Sequence, residues 1–250
     1  MSIMSEREYI VIELPRGPGY RIRALFRRLA MVVYTPFELM SELVHEPDLM
    51  GALISLLLCI IAVTSTSTLF SSRVRIIYVN ATTNKVIGVI GGGISKGRVL
   101  SSFVMTSLTT LVGWLMVTII IYLISSFLKG ISTLRSVASA VGYASFIRVL
   151  VEIIRIMNIA VATRDTMVTV KINIGKNTSM KYITSLISSA ISSQTGWPYA
   201  ILNNFLSYLL QVWMLALFII IPYNTCGLSL KKSILVGAVA FVIALFIRWI

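Results

Sequence analysis

Residues 49–70 read LMGALISLLLCIIAVTSTSTLF, and this stretch decides the fold class of the chain. It contains no charged side chain, and the nearest charges are Asp48 before it and Arg73 after it. A helix needs about 20 consecutive apolar residues to cross the hydrocarbon core of a bilayer. We therefore interpret residues 50–70 as a transmembrane helix.

Four similar apolar runs follow, so the sequence predicts an all-α membrane protein with five transmembrane helices. The predicted membrane domain covers residues 50–250, and residues 1–49 form an N-terminal region. The predicted spans are residues 50–70, 99–128, 136–163, 201–222 and 233–250. The last is short, and we expect Arg248 and Trp249 to lie at the far interface of the membrane.

The composition agrees with membrane insertion. The chain of 250 residues is 57% hydrophobic and 12% charged, whereas soluble domains are about 25% charged. The net charge is +13, but the cations lie singly or in pairs between apolar runs, where they would meet lipid head groups rather than nucleic acid. Cys59 and Cys226 have neither a CxxC spacing nor partner histidines, so we predict no metal, cofactor or disulfide framework.

Two short helices are predicted along the membrane surface before the first span. Residues 20–34 interleave arginines with apolar residues at helical spacing, as in a basic amphipathic helix; the apolar residues are Ile22, Leu25, Phe26 and Leu29. Thr35-Pro36-Phe37-Glu38 has the form of a capping box, and it predicts a second helix that Pro47 ends. The acids near His45 on this helix are interpreted as a solvated face.

Two connections between spans carry strand-like segments. VRIIYV (74–79) and KVIGVI (85–90) flank a turn and predict a β-hairpin, and MVTVKINI (167–174) alternates apolar residues. With five spans both connections lie on one side, so these strands could form one small sheet. Residues 182–193 place apolar residues on one helical face and predict a further interfacial helix.

The third span contains a short motif that consists of Val141, Gly142, Tyr143, Ala144 and Ser145. This motif resembles that of the Ypt-interacting protein (Yip) domain family. Residues from about 35 onward, including the proline-bounded helix before the first span and the closing pair of helices, are similar to the same family. The family often has a proline after the motif, where this chain has Phe146-Ile147-Arg148, so no kink is required there. The low glutamine content and paired basic residues of this chain favour a prokaryotic, archaeal member of the family.

The resemblance implies five membrane helices, a cytosolic N-terminus and, in eukaryotes, association with GTPases, vesicle traffic and membrane shaping. It implies a protein partner, GTPase-like by resemblance only, and the possibility of homo-oligomers stays open. Cationic residues divide evenly between the two sides, so the positive-inside rule does not orient the chain. Cytoplasmic placement of the N-terminus in the cell membrane therefore rests on the resemblance and on two glycosylation sequons, at Asn80 and Asn177.

Three other features are candidate sites. The motif places small residues at i, i+4 spacing, which favours helix packing over ligand binding. Arg148, Glu152 and Arg155 lie on one face of the third span, as a self-neutralising structural ladder or as an ion path. Gly91-Gly92-Gly93 matches no phosphate-loop pattern and predicts a flexible turn.

These patterns favour a non-enzymatic protein that organises membrane or recruits partners. The alternative is a small transporter or channel-like subunit that works through the face of Arg148, Glu152 and Arg155. The sequence shows no constellation of an intramembrane enzyme, such as HExxH or paired intramembrane aspartates.

Overall fold

The computed structural model describes residues 18–80, 83, 85–93, 95–164, 167–174, 180–247 and 249. These described residues form nine α-helices and three β-strands. The elements are, in chain order, α1 (Pro18–Tyr34), α2 (Pro36–His45), α3 (Leu49–Arg73), β1 (Val74–Asn80), β2 (Val86–Gly91), α4 (Lys96–Phe127), α5 (Leu134–Ala144), α6 (Phe146–Ala162), β3 (Val168–Ile174), α7 (Met180–Thr195), α8 (Tyr199–Thr225) and α9 (Leu230–Phe246).

Four helical segments among the described residues are long and apolar enough to cross a membrane. They are α3, α4, the α5–α6 pair and α8, and they coincide with the first four predicted spans. The predicted fifth span is present as α9, but its 17 residues extend only about 25 Å at 1.5 Å per residue. The hydrocarbon core is about 30 Å thick, so crossing by a fifth helix stays a prediction.

The two short helices before α3 begin and end at prolines. Pro36 occupies the first turn of α2, where its missing N–H costs no hydrogen bond. The helix ends at His45, two residues before Pro47. The predicted capping box was wrong in one respect, because the Thr35 side chain makes no capping hydrogen bond. The next helix, α3, does have a side-chain cap, because Asp48 accepts a 2.9 Å hydrogen bond from the Gly51 amide.

The third predicted span is interrupted at Ser145, the last residue of the motif, although no proline is present. The Ser145 amide donates to the carbonyl of Gly142, three residues back, instead of four residues back as in an α-helix. The Ser145 hydroxyl donates to the same carbonyl. A serine side chain that competes for backbone carbonyls is a recognised cause of local helix distortion. The third predicted span is therefore two helices, α5 and α6, rather than one regular helix.

The three strands form one sheet in the order β2-β1-β3, as predicted. β1 and β2 form an antiparallel hairpin with a register shift between Tyr78 and Val79. β3 pairs parallel to β1, with Ile76 opposite Val170. The sheet lies where α3 and α6 end and α4 and α8 begin, and we call this part of the molecule the sheet end.

A glycine turn joins β2 to α4. Gly91 and Gly92 have positive φ angles of 84° and 77°, which favour glycine. A Cβ at Gly91 would overlap the carbonyl oxygen of Val74. The Gly92 and Gly93 amides donate to the carbonyls of Val74 and Ser71. Their donors are therefore used within the fold and do not form a phosphate-binding loop.

The buried side chains form two main cores. The larger joins α1, α2, α5, α8 and α9 with parts of α3 and α4. The smaller lies between the sheet and α7, and the apolar face of α7 packs there; its residues are Ile183, Leu186, Ile187, Ala190 and Ile191. The protein itself therefore covers the apolar face of α7, and the location of this helix at the membrane interface stays a prediction.

The opposite end of the bundle holds α1, α2 and two connections, and we call it the α1–α2 end. There, the Asn224 side chain donates to the Phe37 carbonyl, and the Lys232 ammonium donates to the Leu128 carbonyl. From this end α9 enters the bundle. Trp249, which follows it, is only 2% exposed.

Trp249 lies inside the bundle rather than at a far interface. Its ring stacks on Phe218 at 5.9 Å between centroids, and a Cβ at Gly113 would overlap it. Gly113 lies near the middle of α4, so the Trp249 ring lies within the bundle. The predicted interfacial position of Trp249 was therefore wrong, and Arg248 lies outside the described residues.

Candidate functional site

The five motif residues are buried where α5 packs against α3. Gly142 faces Ala52, and a Cβ added to Gly142 would come within 2.5 Å of the Ala52 side chain. Since real Cβ atoms do not approach this closely, glycine is what allows the two backbones to meet. The small-residue face of the motif thus packs helix against helix, which supports the packing interpretation.

The motif tyrosine links α5 to the start of α3. Tyr143 is fully buried, and its hydroxyl donates a 2.6 Å hydrogen bond to Asp48 Oδ2. The absence of a side chain at Gly51 makes room for the tyrosine ring, because a Cβ there would overlap the Tyr143 hydroxyl. The carboxylate that caps α3 therefore also satisfies the buried tyrosine hydroxyl.

An arginine of α1 completes this arrangement. Arg28 is 6% exposed, and its guanidinium donates to Glu42 at 2.8 Å, Asp48 at 3.0 Å and Glu46 at 3.2 Å. We call these four residues together with Tyr143 the Arg28 network. It joins α1, α2, the cap of α3 and the family-like motif of α5. Arginine suits this position because its fixed fork of donors can serve several carboxylates at once.

The charges of the network shift each other's protonation equilibria. Burial favours the neutral form of Asp48, but hydrogen bonds from Tyr143, Gly51 and Arg28 outweigh burial and hold the Asp48 pKa below its ordinary value. Burial likewise disfavours the charged form of Arg28, yet Glu42 and Asp48 raise its pKa above the ordinary value. Both groups are therefore ionised at neutral pH, and Arg28 and Asp48 form an ion pair.

Sequence reasoning missed this network. It placed the acids of α2 on a solvated face, whereas Glu42 and Asp48 hold a buried cation. The available signal was Arg28 itself, which shares a helical face with Leu25, Leu29 and Val32. The residues of the predicted apolar face of α1 are divided, because Leu29 is buried while Ile22 and Phe26 are exposed; the placement of α1 along the membrane surface stays a prediction.

The predicted charge ladder is divided rather than continuous. Glu152 is 3% exposed and pairs with Arg155 at 2.6 Å, and Arg155 also donates to the Ser207 hydroxyl. Arg148 turns instead to the Trp249 carbonyl, which accepts its hydrogen bond. The buried Nε atoms of Arg148 and Arg155 have no partner among the described residues. The ladder therefore joins α6 to α8 and to the segment after α9.

A small cavity of about 10 Å³ lies beside Arg148. Its lining includes Cys59, Ser145, Met214 and Trp249. This volume corresponds to about one water molecule. The cavity could hydrate the Arg148 guanidinium, but it is too small for a substrate.

Of the two asparagines in the predicted glycosylation sequons, the structure describes Asn80 only. Asn80 is the last residue of β1 and pairs there with Ile174 of β3. Asn177 lies outside the described residues. Modification at either position stays a prediction.

The fold defines the class of protein: a multi-pass helical membrane protein whose helices are joined by buried charge pairs. The family model for the Yip1 domain matches residues 31–250, so the chain belongs to the Yip1 domain family. The match includes α2, the motif and most of the Arg28 network, although Arg28 itself precedes it. No curated protein and no solved structure matches the chain.

Proposed function

We propose that this protein is a non-enzymatic organiser of the membrane that recruits a protein partner through the exposed face of α1. Its helix bundle is the anchor, and its N-terminus lies in the cytoplasm. The observation that carries the proposal is the way α1 is held: one face is fixed to the bundle by Arg28, and the other is left exposed.

The exposed face of α1 combines apolar and cationic side chains. Ile22 is 56% and Phe26 67% exposed, and Arg23 and Arg27 are exposed beside them. Exposed aromatic and arginine side chains are enriched at protein interfaces. Because the Arg28 network orders the helix in advance, a partner would lose less conformational entropy on binding it.

Site-specific photo-crosslinking tests the proposal. A photoreactive residue replaces Phe26 on the exposed face of α1, and the control carries it at Ile87, an exposed position of β2. Native membranes should give a reproducible protein adduct at position 26 and none at position 87. Lipid adducts alone at position 26 would contradict recruitment and identify the face as a contact with the bilayer.

The orientation can be tested with cysteine labelling on intact cells. Both native cysteines are buried, so an introduced cysteine dominates labelling by a membrane-impermeant reagent. Thr83→Cys at the sheet end should be labelled, and Ser229→Cys at the α1–α2 end should be protected until lysis. The opposite pattern would reverse the proposed orientation.

A transporter or channel-like subunit is the second candidate, favoured by the unpartnered Nε atoms of Arg148 and Arg155 inside the bundle. It predicts that Glu152→Gln abolishes an ion-linked flux in proteoliposomes. Unchanged flux, or no flux from the unaltered protein, would remove this candidate. The internal pairing of Glu152 and the water-sized cavity agree better with a structural role.

A further inference from the structure

A groove between α3 and α4 near the sheet end has the size and chemistry of a ligand site. Its volume is about 450 Å³, which is within the range of small-molecule sites in proteins. On α3 the lining extends from Ile61 to Ser72, and on α4 it includes Val99 and Phe103. At 1.5 Å per residue the α3 wall is about 16 Å long.

The lining of the groove combines polar and apolar side chains. Thr64, Ser65 and Thr68 contribute hydroxyl groups to the lining, and they belong to the run of five hydroxyl residues that ends the apolar part of α3. Ile61 and Phe103 are large apolar residues exposed beside them. A ligand that fits this groove needs a long apolar portion and a polar portion.

One hydroxyl of the groove lacks a hydrogen-bond partner. Thr64 is 8% exposed, and its buried Oγ1 has no partner among the described residues. An unsatisfied buried hydroxyl is uncommon because it costs free energy. Because this oxygen is itself buried, a change of the Thr64 rotamer is needed to present the hydroxyl to a ligand in the groove.

The mouth of the groove is cationic. A smaller depression shares Thr68 and Val99 with the groove and is lined further by Ser71, Ser95 and Arg98. Ser95 precedes the first turn of α4 and makes no side-chain capping bond there, so the amides at the start of this helix receive no cap from Ser95. The described carboxylates lie elsewhere, at the α1–α2 end or at Glu152 within the bundle.

We infer that this groove binds an anionic phospholipid. The phosphate lies at the mouth, against Arg98 and the start of α4, and one acyl chain lies along Ile61 and Phe103. A bilayer supplies such a ligand at this depth, because the mouth is at the end of two transmembrane helices. The group recognised at the mouth is a phosphate, so a free phosphate ion is the alternative ligand.

Native mass spectrometry of the purified full-length protein tests the inference with two probes, phosphatidylglycerol and phosphatidylcholine. The unaltered protein should retain phosphatidylglycerol in preference. Arg98→Gln should weaken phosphatidylglycerol binding at least fivefold, since it removes the cation at the mouth. Lys85→Gln, which removes an exposed cation of the same end away from the groove, should change it less than twofold.

A second variant tests whether the lipid occupies the groove itself. Thr68→Phe places a ring in the groove and should reduce binding of both lipids, while gel filtration and thermal unfolding confirm that the protein is folded. Equal losses for Arg98→Gln and Lys85→Gln, or no loss for Thr68→Phe, would overturn the inference. Full displacement of lipid by millimolar inorganic phosphate would assign the site to free phosphate instead, which also overturns it.

Discussion

The two ends of the bundle use charge in opposite ways. At the α1–α2 end, a cation is buried and held by three carboxylates, as Arg28 shows. At the sheet end, cations such as Lys85 and Arg98 are exposed, and no described carboxylate lies on the strands or on α7. At the α1–α2 end the charges are paired within the protein, whereas the exposed cations of the sheet end are available to external anions.

This difference indicates which charges hold the fold together. A buried ion pair costs desolvation, and removing one partner leaves the other charge uncompensated. An exposed cation contributes little to stability but can attract a phosphate or a lipid surface. We therefore expect substitutions at the α1–α2 end to lower stability and substitutions at the sheet end to affect binding.

The largest effect is expected for Arg28→Ala. This change leaves Asp48 without its cation, although Glu42 keeps its 2.6 Å ion pair with Arg27; removal of one partner of a buried pair costs about 3–5 kcal/mol. Thermal unfolding in detergent should show a large loss of stability. Arg23→Ala is the matched control, because Arg23 is exposed on the same helix. Equal losses for the two variants would contradict the role given to Arg28.

Gly142→Ala should have the next largest effect. The added methyl group meets Ala52 where the two helices touch, and such overpacking costs about 1–3 kcal/mol. Gly97→Ala in α4 is the control, because a Cβ there meets no atom within 4 Å. The control should be neutral or slightly more stable, since alanine favours helix over glycine. The same thermal assay checks both.

Tyr143→Phe should cost about 1.5 kcal/mol, the lower end for a hydrogen bond to a charged group. Asp48 keeps its contacts with Arg28 and Gly51, so the loss should be smaller than for Arg28→Ala. Tyr208→Phe, at a largely exposed tyrosine of α8, is the control. A loss equal to that of the control would show that the hydroxyl contributes nothing.

The low pKa of Asp48 predicts acid sensitivity. A carboxyl whose folded-state pKa is depressed stabilises the fold above its unfolded pKa of about 3.9, and this contribution is lost as the pH falls below that value. Melting temperatures measured from pH 7 to pH 3 should therefore fall less steeply for Asp48→Asn than for the unaltered protein. Parallel curves would argue against an ionised Asp48.

The smallest effect on stability is expected for Lys85→Gln at the sheet end. Lys85 is exposed, and surface substitutions of this kind usually stay within about 0.5 kcal/mol. Thermal unfolding should be unchanged. A clear loss would break the proposed contrast between the two ends.

Local patterns in the sequence were sufficient for most elements of the fold. Uncharged runs located α3, α4 and α8, two β-prone stretches around a turn located β1 and β2, and alternation of apolar residues located β3. These predictions succeeded because each depends on residues close together in the chain. Gly142 was likewise identified as a packing residue from its spacing to Ala138.

The Arg28 network could not be predicted from local patterns. Asp48 and Tyr143 are 95 positions apart, and nothing in either segment identifies the other. The position of Trp249 was missed for a different reason: hydropathy shows that α9 is apolar, but not how far it reaches into the bundle. The interruption at Ser145 depends on a side-chain hydrogen bond that a proline-based rule does not consider.

The short length of α9 also determines how much space the protein occupies in each leaflet. On the α1–α2 side, the described part of the bundle includes α9 between α4 and α8, while toward the sheet end the first half of α4 has mostly exposed side chains. At the α1–α2 end, the described bundle therefore contains one more helix beside α4 and α8 than it does toward the sheet end. We expect a body of this shape, inserted in a bilayer, to displace more lipid from one leaflet than from the other.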